Sequence, residues 1–291
     1  MAGSLTLGVV IVDYNAGPSL ADAVRSLVAD GAGEIVVVEN GTPGSSAAAL
    51  GDASSRVEIV ATGANVGFGA GVNRGVARLG DAVDLVVVAN PDVRVHRGAL
   101  GDLVGVLDEH PEWGIVGPTV VAEDGAVYPS IRRFPDPIDA AGHALLGLVQ
   151  PDNRFTRRYR SSAMRADGGV DWVSGAFFVI RRRAFEELGG FDESYFMFAE
   201  DMDLCWRAHE HLIGVGVAPT AVITHVEGVS RRAHPYKMLV AHHRSALRFA
   251  ARSTTGPARL ALPLAAVVLG VRLVAALVII GARRLLGRAS P

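Results

Sequence analysis

Asp92 is a carboxylate placed where a divalent metal ion could bind. It follows the apolar run 85–89 and the dipeptide Asn90-Pro91. Five apolar, mostly β-branched residues predict a buried strand, and the Asn-Pro pair predicts that the strand ends there. Open α/β sheets bind their ligands at the carboxyl ends of strands, and a metal ion held there can bind a diphosphate. The alternative is that Asp92 only caps a turn.

A second group of carboxylates, at Glu200, Asp201 and Asp203, follows the aromatic run 195–198. These residues are predicted to lie in the first turn of a helix, where the helix dipole favours anions. Arg207, four residues after Asp203, is predicted to pair with it. The alternative is that the three acids only stabilise the start of a helix. That alternative explains less well why the acids follow aromatic residues that could line a pocket.

Polar side chains also follow the other strands of the predicted sheet. Continuous apolar runs predict buried strands over 5–12, 34–38 and 85–89. The residues after them are Asp13, Tyr14 and Asn15, then Glu39 and Asn40, then Asn90 and Asp92. Because the carboxyl ends of parallel strands meet at one edge, these residues predict a nucleotide-sized site, with plain polar loops as the alternative.

The order of elements predicts an α/β fold. Strands alternate with amphipathic helices at the spacing of a parallel sheet with crossover helices. The glycine-rich run 67–75 lacks the G-x-G-x-x-G spacing and does not follow the first strand, so a dehydrogenase is not favoured. The segment 128–159, rich in Arg, Pro and Asp, is predicted to be irregular and partly mobile. Strand character returns over 170–180.

Charge and cysteine content narrow the functional classes. The 291 residues carry a formal net charge of −2, which gives no reason to expect nucleic acid as a partner. Cys205 is the one cysteine, so no internal disulfide can form and a reducing compartment is expected. The N-terminus has no basic region before the run 5–12, so no signal peptide is predicted.

The segment 260–282 is predicted to associate with a membrane. It contains one charge, Arg272, and one proline, Pro263, over a length that could cross a bilayer. A central arginine costs about 2.5–3.5 kcal/mol on insertion scales, which the surrounding Leu, Val and Ile can offset. Arginines flank the segment on both sides, which suits anionic lipid. A buried helix of a soluble protein is the alternative, and the choice between spanning and lying in the interface stays open.

Eight short motifs resemble the inverting family 2 glycosyltransferases, nucleotide-sugar enzymes of the GT-A fold. In the order of that family they are 9–15 (VVIVDYN), 35–42 (IVVVENGT), 65–68 (NVGF), 73–75 (NRG), 90–92 (NPD), 172–176 (WVSGA), 190–193 (GFDE) and 200–207 (EDMDLCWR). Each motif alone is weak, but together they are specific and cover roughly residues 5–230. The set is most similar to the rhamnosyltransferase branch, which uses dTDP-L-rhamnose on lipid-linked cell-wall precursors.

The resemblance implies a donor site along the predicted sheet edge. Its nucleotide-sugar-binding residues would be Asp13, Tyr14, Asn15, Glu39, Asn65, Gly67, Phe68, Asn73, Asn90 and Asp92. Glu39 stands where the family usually has Asp, and Asn90 replaces the first acid of the family's D-x-D motif. The implied metal ligands are therefore Asp92 and His225, together with the diphosphate and water. The alternative is that His225 is a structural histidine at a strand end, with its hydrogen bonds made within the protein.

The resemblance also implies a mechanism. Asp201 matches the catalytic base, which would deprotonate the acceptor hydroxyl in a single displacement through an oxocarbenium-like transition state. Mg²⁺ or Mn²⁺ would neutralise the leaving nucleoside diphosphate. The residues bordering the sugar and the acceptor would be Trp172, Ser174, Gly175 and Glu200.

The prediction is a GT-A domain, a Rossmann-like and mostly parallel sheet flanked by helices. Residues 1–119 would bind the nucleotide sugar, 120–235 would bind the acceptor and carry catalysis, and 236–291 would form a helical membrane-associated segment. The predicted activity is transfer of L-rhamnose from dTDP-L-rhamnose to a polyprenyl-diphosphate-linked GlcNAc at the cytoplasmic face of the cell membrane.

Alternatives are a UDP-sugar donor, or a non-catalytic GT-A binding domain, against which Asp92 and Asp201 argue. A nucleotidyltransferase would need an N-terminal glycine-rich phosphate loop with Arg and Lys, which this sequence lacks.

Overall fold

A nine-stranded sheet forms the centre of the computed structural model, which describes residues 5–147, 150–159, 164–165, 168–226 and 235–285. The strands are β1 (Leu7–Asp13), β2 (Glu34–Glu39), β3 (Glu58–Ala61), β4 (Leu85–Ala89), β5 (Val93–Val95), β6 (Trp113–Val121), β7 (Val127–Tyr128), β8 (Ile131–Arg132), β9 (Trp172–Val173), β10 (Phe177–Arg181) and β11 (Gly214–His225). Their order in the sheet is β3-β2-β1-β4-β10-β6-β11-β5, with β7 paired to β6. β8 and β9 form a separate two-stranded sheet.

The strands β3, β2, β1 and β4 form the parallel half that the sequence predicts. Val10 of β1 lies between Val36 of β2 and Val88 of β4 in the register. Of these, β1, β2 and β4 are buried on both faces, which explains their unbroken apolar runs. Asp13 pairs with Glu39, so the polar ends of β1 and β2 lie side by side as predicted.

The other half of the sheet is mixed. β10 lies antiparallel between β4 and β6, while β11 is parallel to β6 and antiparallel to β5. The predicted strand over 170–180 is therefore two strands, β9 and β10, separated by the turn 174–176. β6 runs through the predicted boundary at 119/120, so both predicted halves contribute strands to one sheet.

Helices cover both faces of the sheet. They are α1 (Pro18–Ala29), α2 (Ser45–Leu50), α3 (Phe68–Val76), α4 (Ala99–Glu109), α5 (Pro137–Leu146), α6 (Arg154–Tyr159), α7 (Arg182–Glu187), α8 (Glu200–Glu210), α9 (Pro235–Ser253) and α10 (Leu262–Leu285). One core contains α1 and α4, with Leu27 and Leu103 fully buried. The opposite core contains α3, α7 and α8, with Val72 and Leu204 fully buried.

The segment 128–159 is not irregular, contrary to the prediction. It contains β8, α5 and α6. α5 packs against α6 and against α10, which comes more than a hundred positions later in the chain. Short helices of this kind depend on tertiary packing more than on their own propensity, so the local sequence pattern did not reveal them.

The apolar C-terminal segment is helical, as predicted. A 3₁₀ turn, Gly256–Ala261, leads into α10. By length and composition, Gly256–Gly281 is long and apolar enough to cross a membrane, with a hydropathy of 2.6 in its most apolar window, of which 6% is buried. α10 packs against α9 and α5 of the domain.

Candidate active site

The Asp92 carboxylate and the His225 imidazole meet beyond the end of β4. His225 is the last residue of β11 and pairs with Val93 of β5, the residue directly after Asp92. This pairing brings His225 Nε2 to 3.1 Å from Asp92 Oδ1 and to 3.3 Å from Asn90 Nδ2. The side chains of Asp92 and His225 are each only 11% exposed. The structure therefore brings together the two predicted metal ligands, with Asn90 beside them.

The donor atoms at this point fit a divalent cation shared with a diphosphate. Carboxylate oxygen and imidazole nitrogen are both common ligands of such ions. Nδ1 of His225 is buried and has no hydrogen-bond partner within the described ranges. Rotation of the Asn90 amide would also turn its oxygen toward the same point. No group of three or more His, Cys, Asp or Glu side chains forms a cation site among the described residues, so substrate oxygens and water would complete the coordination.

Asp13 and Glu39 hold the loop that enters α2. The Ser46 hydroxyl donates to Asp13 Oδ2 at 2.7 Å, and the Ala16 N–H donates to Oδ1 at 2.9 Å. Glu39 accepts from the N–H groups of Gly44 and Ser46 at 2.9 and 3.0 Å. Both carboxylates are buried. Their oxygens thus organise the backbone around the predicted nucleotide-sugar-binding loops.

Tyr14 and Asn15 are the more accessible residues of the same edge. Tyr14 is half-buried and Asn15 is exposed. Asn15 adopts a positive φ of 55° and its Oδ1 accepts from the Thr42 N–H at 2.9 Å. This bond joins the loop after β1 to the loop after β2, so the two predicted nucleotide-binding loops form one surface.

A hydrogen-bond network fixes the glycine-rich loop at this edge. Asn40 donates to Asn65 Oδ1 and to the Gly67 carbonyl, both at 3.1 Å. Gly67 has a φ of 91°, and a Cβ there would collide with the Phe196 carbonyl oxygen. That oxygen accepts from the Phe68 N–H at 3.1 Å. The loop at 65–68 is thus joined to the loop that leads into α8.

Asn73 makes a second connection between these regions. Its amide nitrogen donates to the Phe191 carbonyl at 2.9 Å and to Glu193 Oε1 at 3.0 Å, and its oxygen accepts from the Phe191 N–H at 2.9 Å. Asn73 therefore supports the loop before α8. Both its amide nitrogen and its amide oxygen are hydrogen-bonded within the protein.

Asp201 lies in the first turn of α8, where two backbone N–H groups hold it. Gly175 donates to Oδ2 at 2.7 Å and Met202 donates to Oδ1 at 2.8 Å. A Cβ at Gly175 would come within 3.2 Å of the Asp201 side chain. Phe198 and Ala199, just before α8, have positive φ angles of 70° and 63°. Such strained backbone in residues other than glycine is concentrated at functional sites.

The turn 174–176 connects Asp201 to the predicted metal site. The Asn90 N–H donates to the Ala176 carbonyl at 2.9 Å, and the adjacent Gly175 N–H donates to Asp201. Ser174 anchors the turn through its N–H, which donates to the Ser130 carbonyl at 2.8 Å. The predicted base and the predicted cation site are therefore neighbours, separated by one short turn.

Glu200 and Asp201 differ in how well each can carry a negative charge. Burial, and then the neighbouring charge of Asp201, raises the pKa of Glu200 to about 8. Burial also raises the pKa of Asp201, whereas the Gly175 and Met202 N–H groups and the Arg132 guanidinium favour its charged form. Oε2 of Glu200 is buried and lacks a hydrogen-bond partner in the described structure. The hydrogen bonds and the Arg132 guanidinium therefore favour negative charge on Asp201, whereas Glu200 has no such partner for its Oε2.

Asp203 is fully buried and joins α8 to α9. Arg207 Nε donates to its Oδ2 at 2.8 Å, which confirms the predicted pair. Arg252 of α9 lies 3.1 Å from its Oδ1, and the Tyr195 hydroxyl donates to the same oxygen at 3.2 Å. Asp203 is thus a structural anchor behind the carboxylate of Asp201.

Arg132 and Tyr128 are site residues that the sequence did not single out. Arg132 Cζ lies 5.9 Å from the centre of the Tyr128 ring and 5.5 Å from that of Trp172. The Tyr128 ring is in edge contact with the His225 ring at 6.3 Å. Within the described residues, Arg132 forms no ion pair with a carboxylate, and its Nε donates to the Pro129 carbonyl. No local sequence signal marks Arg132, because its pairing with Trp172 across β8 and β9 exists only in the fold.

The mixed sheet flanked by helices has the GT-A fold of the solved glycosyltransferases to which it is similar. Residues 5–246 match the profile described as "Glycosyltransferase like family 2", and the chain belongs to this family.

Similar proteins agree with this classification. An "N-acetylglucosaminyl-diphospho-decaprenol L-rhamnosyltransferase" of Mycobacterium tuberculosis is 36% identical over 262 residues, which cover 86% of this chain and 85% of that protein. "Rhamnosyltransferase WbbL" of Escherichia coli is 29% identical over 42% of this chain and 44% of its own. The mannosyltransferase PcManGT of Pyrobaculum calidifontis, solved with GDP-Man and Mn²⁺, shares the fold with a TM-score of 0.57 and 18% identity, covering 98% of this chain and 81% of that one.

Proposed function

We propose that this glycosyltransferase is an inverting rhamnosyltransferase. The donor would be dTDP-L-rhamnose, and the acceptor would be a hydroxyl of GlcNAc joined to a polyprenyl diphosphate. The name of the mycobacterial relative, which is similar over most of both chains, supports the sugar and the acceptor. The observation that carries the reaction type is the turn 174–176, which hydrogen-bonds to Asn90 on one side and to Asp201 on the other.

Asp201 is the proposed general base. An inverting transfer needs one group that takes the proton of the acceptor hydroxyl as it attacks the anomeric carbon from the face opposite the leaving group. The N–H groups of Gly175 and Met202 fix the direction of this carboxylate. The same two N–H groups and the Arg132 guanidinium favour the charged form of Asp201. Trp172, Ser174, Gly175 and Glu200 would border the sugar and the acceptor.

The proposed donor site uses the residues that the sequence predicted along the edge of β1, β2 and β4. Asp92 and His225 would hold Mg²⁺ or Mn²⁺, which when bound supplies positive charge to the diphosphate. The Mn²⁺ in related GT-A structures supports a divalent cation. Arg132 would add a second positive charge beside the reacting centre, since it forms no ion pair with a carboxylate within the described ranges. Asp13, Glu39 and Asn73 would act by positioning the loops around the nucleotide.

The proposed location is the cytoplasmic face of the cell membrane. A polyprenyl-linked acceptor lies in the membrane, and α10 provides an apolar surface that could associate with it. We propose that the three regions have the roles predicted from the sequence. Residues 1–119 would bind the donor, residues 120–235 would bind the acceptor and carry catalysis, and residues 236–291 would bind the membrane.

A thermal-shift panel tests the donor site. dTDP, UDP and GDP would each be added with and without Mg²⁺ or Mn²⁺, because a ligand that binds only the folded state stabilises it by about 2.7 kcal/mol at a hundred times its Kd. We expect dTDP with the cation to give the largest shift, and Asp92→Asn to remove the part that depends on the cation. Asp108→Asn, an exposed acid on α4, is the matched control.

Turnover tests the complete reaction. We expect release of dTDP from dTDP-L-rhamnose only when a GlcNAc-diphospho-polyprenol is present. A larger shift and turnover with a UDP-sugar would replace the proposed donor. Binding of nucleotide without any transfer to lipid-linked acceptors would indicate a non-catalytic domain instead.

A further inference from the structure

The outer face of α10 is a continuous apolar surface, here called the outer stripe. Leu264, Val267, Val271, Val274 and Val278 recur at helical spacing, and each is at least 61% exposed. At 1.5 Å per residue the stripe is about 20 Å long. Single exposed apolar residues are common, but a row of this length is typical of a surface that binds a partner or a membrane.

The inner face of α10 is attached to the rest of the protein. Arg272 Nη1 donates to the His143 carbonyl of α5 at 3.3 Å, and Ala276 is only 9% exposed. The helix also packs against α9. The one charge in the middle of this apolar helix therefore lies on the side that faces protein, away from the outer stripe.

The neighbouring helix α9 is too charged to enter hydrocarbon together with α10. It exposes Lys237, Arg244 and Arg248. Its Arg252 is bound to Asp192 and Asp203 of the catalytic half at 3.2 and 3.1 Å. A membrane-spanning α10 would have to leave α5 and α9 or carry these charges into lipid, which is costly. A helix that keeps its inner contacts can present only one face to a membrane.

The positive charge of the C-terminal region favours an anionic partner. Residues 228–291 contain eleven Lys and Arg and no Asp or Glu, so all 30 acids of the chain precede them. Basic segments beside an apolar helix face are attracted to membranes with anionic lipids. A second copy of the chain would bring the same positive region to the contact, so charge favours lipid over self-association through this face.

We propose that α10 lies in the plane of an anionic membrane interface. The outer stripe enters the boundary between headgroups and acyl chains, while Arg272 stays bound to α5. The inference rests on the proposed membrane association and adds the orientation of α10 relative to the membrane. It does not depend on the donor or on Asp201, so its tests use no sugar transfer.

Vesicle flotation of the full-length protein tests the stripe. We expect stronger binding to vesicles that contain phosphatidylglycerol than to pure phosphatidylcholine, with weaker binding as salt rises. Because charged side chains are costly in lipid, Val267→Glu combined with Val274→Glu should lower binding about tenfold or more. Leu212→Glu, a matched change at a residue that is 93% exposed and outside α10, should leave binding unchanged. Equal binding of the double variant and the wild type would overturn the proposal, as would dimers that depend on the stripe without binding to vesicles.

Cysteine labelling distinguishes an in-plane helix from a spanning one. Cys205 is buried, so an added cysteine reports on its own position. Thr255→Cys, before α10, and Ser290→Cys, after it, would be treated with a membrane-impermeant maleimide in sealed inside-out membrane vesicles. An in-plane helix leaves both cysteines reactive without detergent. If Ser290→Cys reacts only after detergent is added, α10 spans the membrane and the proposal is wrong.

Discussion

The backbone N–H of Gly175 donates to Oδ2 of Asp201 at 2.7 Å. This bond joins the turn between β9 and β10 to the first turn of α8, two regions that lie 26 residues apart in sequence. It favours the charged carboxylate, while burial acts in the opposite direction and raises the pKa of Asp201. The result is a carboxylate with a fixed direction and an increased affinity for protons, which suits a general base.

Asp201→Asn is expected to lower kcat by about 10²–10⁴-fold, the usual contribution of a general base. The amide keeps the size of the side chain but cannot take the proton. The Kd of the nucleotide donor, measured by calorimetry, should stay near that of the wild type because the base acts on the acceptor. Asp22→Asn, on the exposed face of α1, serves as the control. A kcat within a few-fold of the wild type would refute this role and make Glu200 the next candidate.

Glu200→Gln is expected to remove a pH dependence of stability. The folded state raises the pKa of Glu200 from 4.5 to about 8, so it keeps a proton that the unfolded chain releases. The resulting stabilisation is complete in acid and is lost as the pH rises from about 4.5 to about 8. The free energy of unfolding of the wild type, from urea titrations, should therefore fall relative to Glu200→Gln across that window. A difference between the two proteins that stays constant with pH would contradict the assignment.

Asp203→Asn is expected to destabilise the fold while leaving the chemistry of the base in place. The change removes the charge that Arg207 and Arg252 share, and breaking a buried ion pair costs about 3–5 kcal/mol. Asp22→Asn breaks an exposed pair with Arg25 and should cost about 0–1 kcal/mol. Denaturant unfolding measures both. Equal, small losses in the two variants would show that Asp203 is not an anchor.

Arg132→Gln is expected to lower kcat by about 10²-fold, as is typical when one group that stabilises transition-state charge is removed. Arg132→Lys should restore part of the loss, because it keeps the positive charge but not the planar group between Tyr128 and Trp172. Arg133→Gln is the matched control, since this neighbour is exposed. If Arg132→Gln and Arg133→Gln behave alike in steady-state assays, Arg132 does not act at the reacting centre.

The parallel half of the fold could be predicted from the sequence because its strands are long apolar runs. β4, for example, begins and ends where Leu85 and Ala89 suggested. The position of β10 could not be predicted, since an antiparallel strand between β4 and β6 is fixed by partners far away in sequence. α5 was missed for a similar reason, because it is stabilised by α6 and α10.

The candidate site was predictable where motifs follow strands. Asp92 and His225 lie together as expected, and Asp203 pairs with Arg207 as its helical spacing indicated. What each polar atom bonds to was not predictable, because the partners of Asn73 and Glu39 come from distant loops. Arg132 was overlooked since the pairing that brings it beside Trp172 spans about forty positions of the chain.

The place of β10 in the sheet has a consequence for how the protein is made. Ala89 of β4 pairs with Phe177, so one side of β4 stays an unpaired edge until the ribosome has added the intervening residues. At roughly 5–20 residues per second this takes several seconds or more. An exposed edge of Leu and Val is a template for pairing with other chains. During this time the nascent N-terminal half is prone to aggregate. We therefore expect it to bind chaperones during synthesis.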